Sequence, residues 1–178
     1  MRIISGKYRG LKLCEFEGKD IRPTADRVKE SLFNILADKV LGATVLDLFC
    51  GSGSLGLECL SRGAKFVCFN DNSPPSIAVL TKNLRKISSE KSYTVSRLDY
   101  AQCLANSVNK YDLIFIDPPY GSDAGIDSLN AIGNGKILNE NGVVIFERDR
   151  KFEGKIDGLT VFDERKYGKT YLTFFKGE

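Results

Sequence analysis

Histidine is missing from all 178 residues, and no two of the five cysteines stand in a CxxC spacing. Without imidazole there is no histidine acid–base catalysis, and without paired thiolates most zinc sites are excluded; no bound metal is expected. The cysteines are odd in number and scattered through apolar segments, the pattern of small core residues in a reducing compartment rather than of a disulfide framework. No apolar run approaches the roughly 18 residues that cross a bilayer. Met1-Arg2-Ile3-Ile4 leads straight into polar sequence, so no signal peptide is read and a cytoplasmic location is expected. Internal repeats and low-complexity tracts are lacking as well. Acidic residues are absent from the first twelve positions, which hold Arg2, Lys7, Arg9 and Lys12.

What is present is an ordinary globular composition, 42% hydrophobic and 28% charged, in a chain long enough for one domain with a sizeable core and a small appendage. The net charge of +3 is unevenly placed: beyond the first twelve residues the chain carries 22 basic against 23 acidic groups. Such a basic arm is either a solvated face or a phosphate contact.

Residues 2–14 read as a hairpin, with Arg2-Ile3-Ile4-Ser5 and Leu11-Lys12-Leu13-Cys14 flanking a turn at Gly6 and Gly10. A polar connector follows. Thr24, after Pro23, is placed to cap a helix with Val28, Leu32, Ile35 and Leu36 on one face. Strands are then predicted at about 43–49, 65–70, 93–98, 111–116 and 142–147, alternating with helical stretches. That alternation indicates an α/β fold with a doubly wound, mostly parallel sheet covered on both faces. Near the end, Leu159-Thr160-Val161-Phe162 and Tyr171-Leu172-Thr173-Phe174-Phe175 bracket a turn at 166–169, so the last strand should run antiparallel to its neighbour.

The first strand runs through Asp47 and Phe49 into Gly51-Ser52-Gly53-Ser54-Leu55-Gly56. The GxGxxG spacing lets the backbone turn sharply and aims a helix N-terminus at a ligand. Nicotinamide-binding folds share that spacing. Asp47 tips the reading, because a dinucleotide fold would normally have an apolar residue there. A carboxylate at this point can meet the ammonium of a methionine moiety while the helix N-terminus takes its carboxylate. Asp71, at the end of the second strand, can accept from ribose hydroxyls, and Asp99, at the end of the third, from an adenine amino group with Tyr100 nearby. Each acid alone reads as a helix cap or turn residue. Three at successive strand ends above one glycine loop favour S-adenosylmethionine as cofactor.

The fourth strand ends in Asp117-Pro118-Pro119-Tyr120, at the edge where open α/β sheets bind ligands. An exocyclic base amine is a poor nucleophile because its lone pair is delocalised into the ring. Hydrogen bonds from that amine to the Asp117 side chain and the Pro118 carbonyl favour a pyramidal nitrogen, and Tyr120 can stack on the base. Proline has no N–H to compete, and its fixed φ holds the carbonyl in place. No strong base is needed. The alternative is a Pro-rich turn that merely caps a strand.

With these residues in hand, the chain resembles a known family over almost its whole length. Met1 to Gly10 is similar to that family's opening hairpin, and Arg22-Pro23-Thr24-Ala25-Asp26-Arg27-Val28-Lys29-Glu30-Ser31-Leu32-Phe33-Asn34-Ile35-Leu36 to its signature helix. Asp47 to Glu58 and Asp117 to Tyr120 follow at the expected separations. The family is the bacterial 16S ribosomal RNA guanine-N2 methyltransferases of the RsmD type. The resemblance implies a seven-stranded methyltransferase fold, S-adenosylmethionine as donor, and a guanine of 16S ribosomal RNA, within a 30S subunit or an assembly intermediate, as acceptor. It implies a monomer. Domain organisation is then residues 1–22, a hairpin and connector facing RNA, and 23–178, the methyltransferase domain. Catalysis falls to Asp117, Pro118, Pro119 and Tyr120. Cofactor contacts fall to Asp47, Phe49, Gly51, Gly53, Gly56, Asp71, Asn72 and Asp99, with Asn72 sharing the ribose because the family usually has Glu where this chain has Asp71. RNA contacts fall to Arg2, Lys7, Arg9, Lys12, Arg22 and Arg27. Ser73 is expected to cap a helix opened by Pro74 and Pro75. The competing readings are adenine-N6 methylation of DNA or RNA, a nicotinamide-dependent oxidoreductase, and a non-catalytic RNA-binding assembly factor.

Overall fold

Short runs of continuous apolar residues form the centre of the molecule, because a strand buried on both faces has no polar side to alternate with. The structure, a computed structural model, describes residues 1–16, 23–87, 92–119 and 121–178. In chain order the elements are α1 (Pro23–Leu36), β1 (Thr44–Asp47), α2 (Ser54–Ser61), β2 (Phe66–Asn70), α3 (Pro74–Leu84), β3 (Tyr93–Ser96), α4 (Tyr100–Ala105), β4 (Tyr111–Ile116), α5 (Ala124–Asn134), β5 (Leu138–Arg148), β6 (Leu159–Tyr167) and β7 (Thr170–Gly177). The seven strands form one sheet in the order β3-β2-β1-β4-β5-β7-β6. The first five are parallel, and β7 runs antiparallel to both β5 and β6. The expected doubly wound sheet with an antiparallel terminal hairpin is therefore present.

Alternate residues of each strand feed two cores. On one face Val45, Leu113, Phe115, Val143 and Ile145 pack under Val28, Leu32 and Phe33 of α1, Leu57 of α2 and Leu80 of α3. On the other, Leu46, Ile114, Ile116, Val144 and Phe146 pack under Leu104 of α4 and Leu129 and Ile132 of α5. Strand order reverses direction between β1 and β4, which is where an open α/β sheet leaves a crevice beyond the carboxyl ends of its strands.

Several boundaries differ from the sequence reading, β1 among them, which ends two residues early at Asp47. Pro23 is the first helical residue of α1, so Thr24 sits in the first turn rather than at the cap, and the side chains of 23–25 lie outside the described residues. β3 stops at Ser96, two residues early, because the Asn70 side chain takes over the pairing: its Oδ1 accepts from Leu98 N, and its Nδ2 donates to the carbonyls of Leu98 and Leu48. β5 begins four residues early at Leu138, where Asp112 accepts from Asn139 Nδ2 at 2.7 Å and carries the ladder across a bulge. The turn between β6 and β7 closes on Gly168 and Lys169 alone. Ser73 caps α3 as expected, accepting from Ser76 N ahead of the two prolines.

The opening hairpin has a single bridged pair, Arg2 with Lys12. Its backbone is held mostly by the helices beneath it. Ile4 N and Ser5 N donate to the two oxygens of Glu58 at 2.8 and 3.0 Å, and Lys7 N donates to the Ser61 carbonyl at 2.7 Å. Gly6 passes so close that a Cβ there would lie 1.9 Å from the Ser61 carbonyl oxygen, and its φ of 83° suits glycine. Farther along, Asn83 of α3 exchanges hydrogen bonds with the backbone of Cys14. Ile3 and Leu13 are buried in the first core.

Glu58 is the centre of this attachment. It is fully buried, receives Arg62 Nε at 2.8 Å, and lies 3.4 Å from Lys29 Nζ, which donates to the Arg2 carbonyl. Removing one partner from a buried ion pair leaves an uncompensated charge, at a cost of about 3–5 kcal/mol. Glu58→Ala should lower the unfolding free energy by that amount in urea titration, and Glu58→Gln by less; a Glu58→Ala protein as stable as the parent would show that the cluster does not hold the hairpin.

Candidate active site

The crevice begins at the end of β1. There the chain must turn at once into α2, and Gly53 makes that possible by capping the helix in the left-handed conformation, φ 81°. Gly56 has a different role. A Cβ on it would fall 2.2 Å from the Phe69 ring, so glycine here lets α2 lie against β2. Gly51 N donates to Asp71 Oδ2 at 2.9 Å.

Asp47 closes the head of the helix from below, its Oδ2 accepting from Gly56 N at 2.9 Å. Only 3% of it is exposed. Burial pushes its carboxyl up from 3.8 to about 7; the Gly56 N–H works against that shift, while Asp117 and Asp71 reinforce it by repulsion. A carboxylate already on the first turn of α2 occupies ground that a dinucleotide fold gives to pyrophosphate, and it would repel one. The nicotinamide reading loses its basis.

The remaining cofactor candidates surround the same loop. Asp71 is half-buried and braced: Oδ2 takes Gly51 N, and Oδ1 takes Ser73 N at 2.9 Å. It shapes the loop, and each oxygen keeps a further lone pair. Asn72 beside it is exposed. Asp99 is exposed and caps α4 through Ala101 N at 2.9 Å. Phe49 lies against Tyr100, ring centroids 5.8 Å apart, and the Tyr100 hydroxyl donates to Asp127 of α5 at 3.1 Å. Of the five thiols, Cys50 and Cys59 are buried and burial pushes both up, which leaves them inert.

β4 delivers Asp117, Pro118 and Pro119 to the opposite side of the crevice. Asp117 and Pro119 are exposed and Pro118 is buried. The Pro119 carbonyl accepts from the Ser122 hydroxyl at 2.9 Å, which ties the rim to the start of α5. Tyr120 lies outside the described residues, as does Arg22. Among the described residues no group of three side chains is placed to bind a metal ion, and no helix is long and apolar enough to cross a membrane.

Sequence reasoning missed Glu147. It follows Phe146 on β5, and Ile116 and Phe146 are paired, so Asp117 and Glu147 are the next residues on neighbouring strand tips. Burial, then repulsion from Asp117, pushes its carboxyl up to about 8. The signal was available: an acid directly after the apolar run Val143–Phe146 is the same feature that singled out Asp47 and Asp71.

The basic residues Arg2, Lys7, Arg9, Lys12 and Arg27 are all exposed. Arg2, Arg9 and Arg27 line a groove of about 440 Å³ between the hairpin and α1, together with Asp26 and Glu30. Arg2 Nε stands 3.9 Å from Asp26. The hairpin therefore presents cations on a backbone whose own donors are directed into the protein.

Asp47 gives the site a measurable pH signature. The folded carboxyl titrates near 7 and the unfolded one near 3.8, so between these values the folded state binds the extra proton and stability falls as pH rises. Asp47→Asn removes the ionisable group. It should raise the melting temperature of the ligand-free protein at pH 8 and change it little at pH 4; an equal shift at both would mean that ionisation of Asp47 is not what costs stability.

The chain is similar to known proteins over nearly its whole length. The family model described as "Conserved hypothetical protein 95" matches residues 1–176. Ribosomal RNA small subunit methyltransferase D of Haemophilus influenzae is 37% identical over 154 residues, covering 84% of this chain and 79% of that protein. YlbH of Bacillus subtilis is 35% identical over 181 residues, 99% of this chain and 98% of its own length. Among solved structures, yhhF from Escherichia coli superposes with a TM-score of 0.89 at 29% identity, covering 100% of this chain and 98% of the other. From its first strand pair to its terminal hairpin, the chain belongs to the RsmD-type family of small-subunit ribosomal RNA methyltransferases.

Proposed function

We propose that this protein transfers a methyl group from S-adenosylmethionine to the exocyclic N2 amine of a guanine in 16S ribosomal RNA, acting as a monomer on a 30S subunit or assembly intermediate. The observation that carries the reading is the placement of Asp47 and Asp117 on adjacent strands at the switch point of the sheet, one beneath the glycine loop and one on the amine-binding rim.

The residues present suit the donor. Asp47 has one oxygen on Gly56, and among the described residues nothing donates to the other, so it is placed to receive an ammonium. The first turn of α2 offers N–H groups to a carboxylate. Asp71 and Asn72 suit ribose hydroxyls, Asp99 an amino group, and Phe49 the face of an adenine. Bound there, S-adenosylmethionine supplies an electrophilic methyl group. The protein's task is then to position the amine. The Asp117 carboxylate and the Pro118 carbonyl accept its two hydrogens, which turns the lone pair out of conjugation. Tyr120 stacks on the base, a contact worth roughly 1–3 kcal/mol. Holding the partners in line supplies about 7–11 kcal/mol of barrier reduction. After transfer the nitrogen must lose one proton, and the Asp117 carboxylate already touching it is the acceptor. No imidazole is required.

Residues 1–22 serve in this reading as the RNA-contacting arm, with Arg2, Lys7, Arg9, Lys12, Arg22 and Arg27 on phosphates, and residues 23–178 as the methyltransferase domain. The target guanine must be unpaired or flipped to reach the rim. Adenine-N6 methylation would use the same rim, and mapping of the methylated atom separates the two.

Asp117→Ala should abolish methyl transfer to 30S particles lacking the modification while leaving S-adenosylmethionine affinity nearly unchanged in equilibrium binding. Full transfer by that variant overturns the assigned role. If four arm cations contact phosphates, log affinity for RNA should fall against log salt with a slope of roughly −3. Removing Arg9 and Lys12 should flatten that slope by about 1.4; an unaltered slope places the phosphates elsewhere.

A further inference from the structure

Three carboxyl groups follow one face of the sheet to its carboxyl edge. Val45, Phe115 and Ile145 pack into the same core, Asp47 pairs with Phe115, and Phe115 pairs with Ile145. Side chains alternate along a strand, so Asp47, Asp117 and Glu147, each two residues farther on, continue that face. Asp47 belongs to the donor side and Asp117 to the amine in the reading above. Glu147 has no assignment. It stands on the far side of Asp117 from Asp47, and with Pro118, Pro119 and Arg148 it lines a small cleft of about 40 Å³. Among the described residues no donor reaches its carboxyl, although it is half-buried. Its displacement to about 8 is what such a placement produces.

A guanine offers two kinds of donor on one edge: the exocyclic N2 hydrogens and, beside them, the ring N1–H. Adjacent strands lie about 4.8 Å apart, a spacing that lets two neighbouring carboxyls each take one donor from that edge. We propose that Glu147 reads the acceptor base by accepting its N1–H while Asp117 holds the amine. The inference rests on the guanine-N2 reading and deepens it, giving the site a means of selecting the base as well as the atom. A base with a lone pair at that ring nitrogen offers the Glu147 carboxylate no donor, and sites built around such a bond reject analogues that lack it; only the protonated carboxyl can donate to it in return.

The test uses small-subunit particles reconstituted with either guanine or 2-aminopurine at the methylated nucleotide. 2-Aminopurine keeps the exocyclic amine and has an acceptor where guanine has N1–H. The wild-type preference for guanine in kcat/KM should be slight near pH 6.5, where a protonated Glu147 can donate to the 2-aminopurine ring nitrogen, and should rise several-fold by pH 8.5, where the carboxylate can only accept. In Glu147→Ala the preference at pH 8.5 should fall to nearly one, with S-adenosylmethionine affinity confirming a folded donor site; a merely structural residue would lower both rates and leave their ratio intact. If Glu147→Ala does not fold, Glu147→Gln decides. Its amide can donate to 2-aminopurine as readily as it accepts from guanine, so the preference should shrink there too. An undiminished preference in the folded variant, or a wild-type enzyme indifferent to the two bases at pH 8.5, overturns the proposal and leaves guanine-N2 methylation standing. A wild-type enzyme that leaves guanine unmethylated at N2 overturns the functional reading itself, and this proposal with it.

Discussion

A fully buried glutamate holds this molecule together in the direction that matters for its chemistry. Glu58 sits on α2, the helix launched by the glycine loop, and its two oxygens receive the backbone of Ile4 and Ser5 and the side chain of Arg62, with Lys29 of α1 3.4 Å away. A buried carboxylate tolerates no loss of donors. The basic hairpin therefore cannot swing away without stripping Glu58 of two hydrogen bonds, and α1 cannot shift without moving the ammonium that faces it. Loop, hairpin and helix form one rigid unit. In the proposed reaction the face that meets RNA and the loop that meets the donor keep a fixed relation, which is what in-line transfer demands.

The crevice itself is a place where negative charge is costly. Asp47 and Glu147 are both raised by burial first and by neighbouring acids second, to about 7 and about 8. A ligand-free protein gains nothing from this crowding. Hydrogen-bond donors and positive charge relieve it, and the substrates proposed here bring both: an ammonium and sulfonium on one side, the amine and ring N–H of a base on the other. Strain concentrated at a binding site and offset by its ligands is a common relation between stability and function.

Much of this was legible in the sequence because the features are local. Five apolar strands, the GxGxxG loop, the Asp-Pro-Pro-Tyr rim and the terminal hairpin each announce themselves within about ten residues. What escaped depends on neighbours distant in sequence. β3 ends where Asn70, some 26 residues earlier, captures Ser96 and Leu98. β5 is lengthened by Asp112, 27 residues away. Asp71 and Asp99 have the turn and cap duties that a lone strand-end acid suggests, accepting from Gly51, Ser73 and Ala101 N–H groups, and keep further lone pairs for a ligand. Glu147 does not stand out when β5 is taken only as sheet; its place next to Asp117 is a fact of register rather than of sequence.

The absence of histidine and the rigidity of the rim have one physical origin. An arylamine needs no strong base to react with a sulfonium carbon, only a geometry in which its lone pair is not shared with the ring. Geometry is supplied by fixed acceptors, and the rim fixes them. Pro118 is wedged beneath α5, where a Cβ on Gly125 would come within 3.0 Å of its ring. The Pro119 carbonyl is tied to Ser122, and β4 behind both is buried on either face. Neither proline can rotate its φ, so the Pro118 carbonyl direction is set before any base arrives. Proton acceptance alone could not replace this arrangement, because it changes charge but does not hold a nitrogen pyramidal; the chemistry therefore selects for stiffness at 117–119, with the Asp117 carboxylate taking the proton only after transfer.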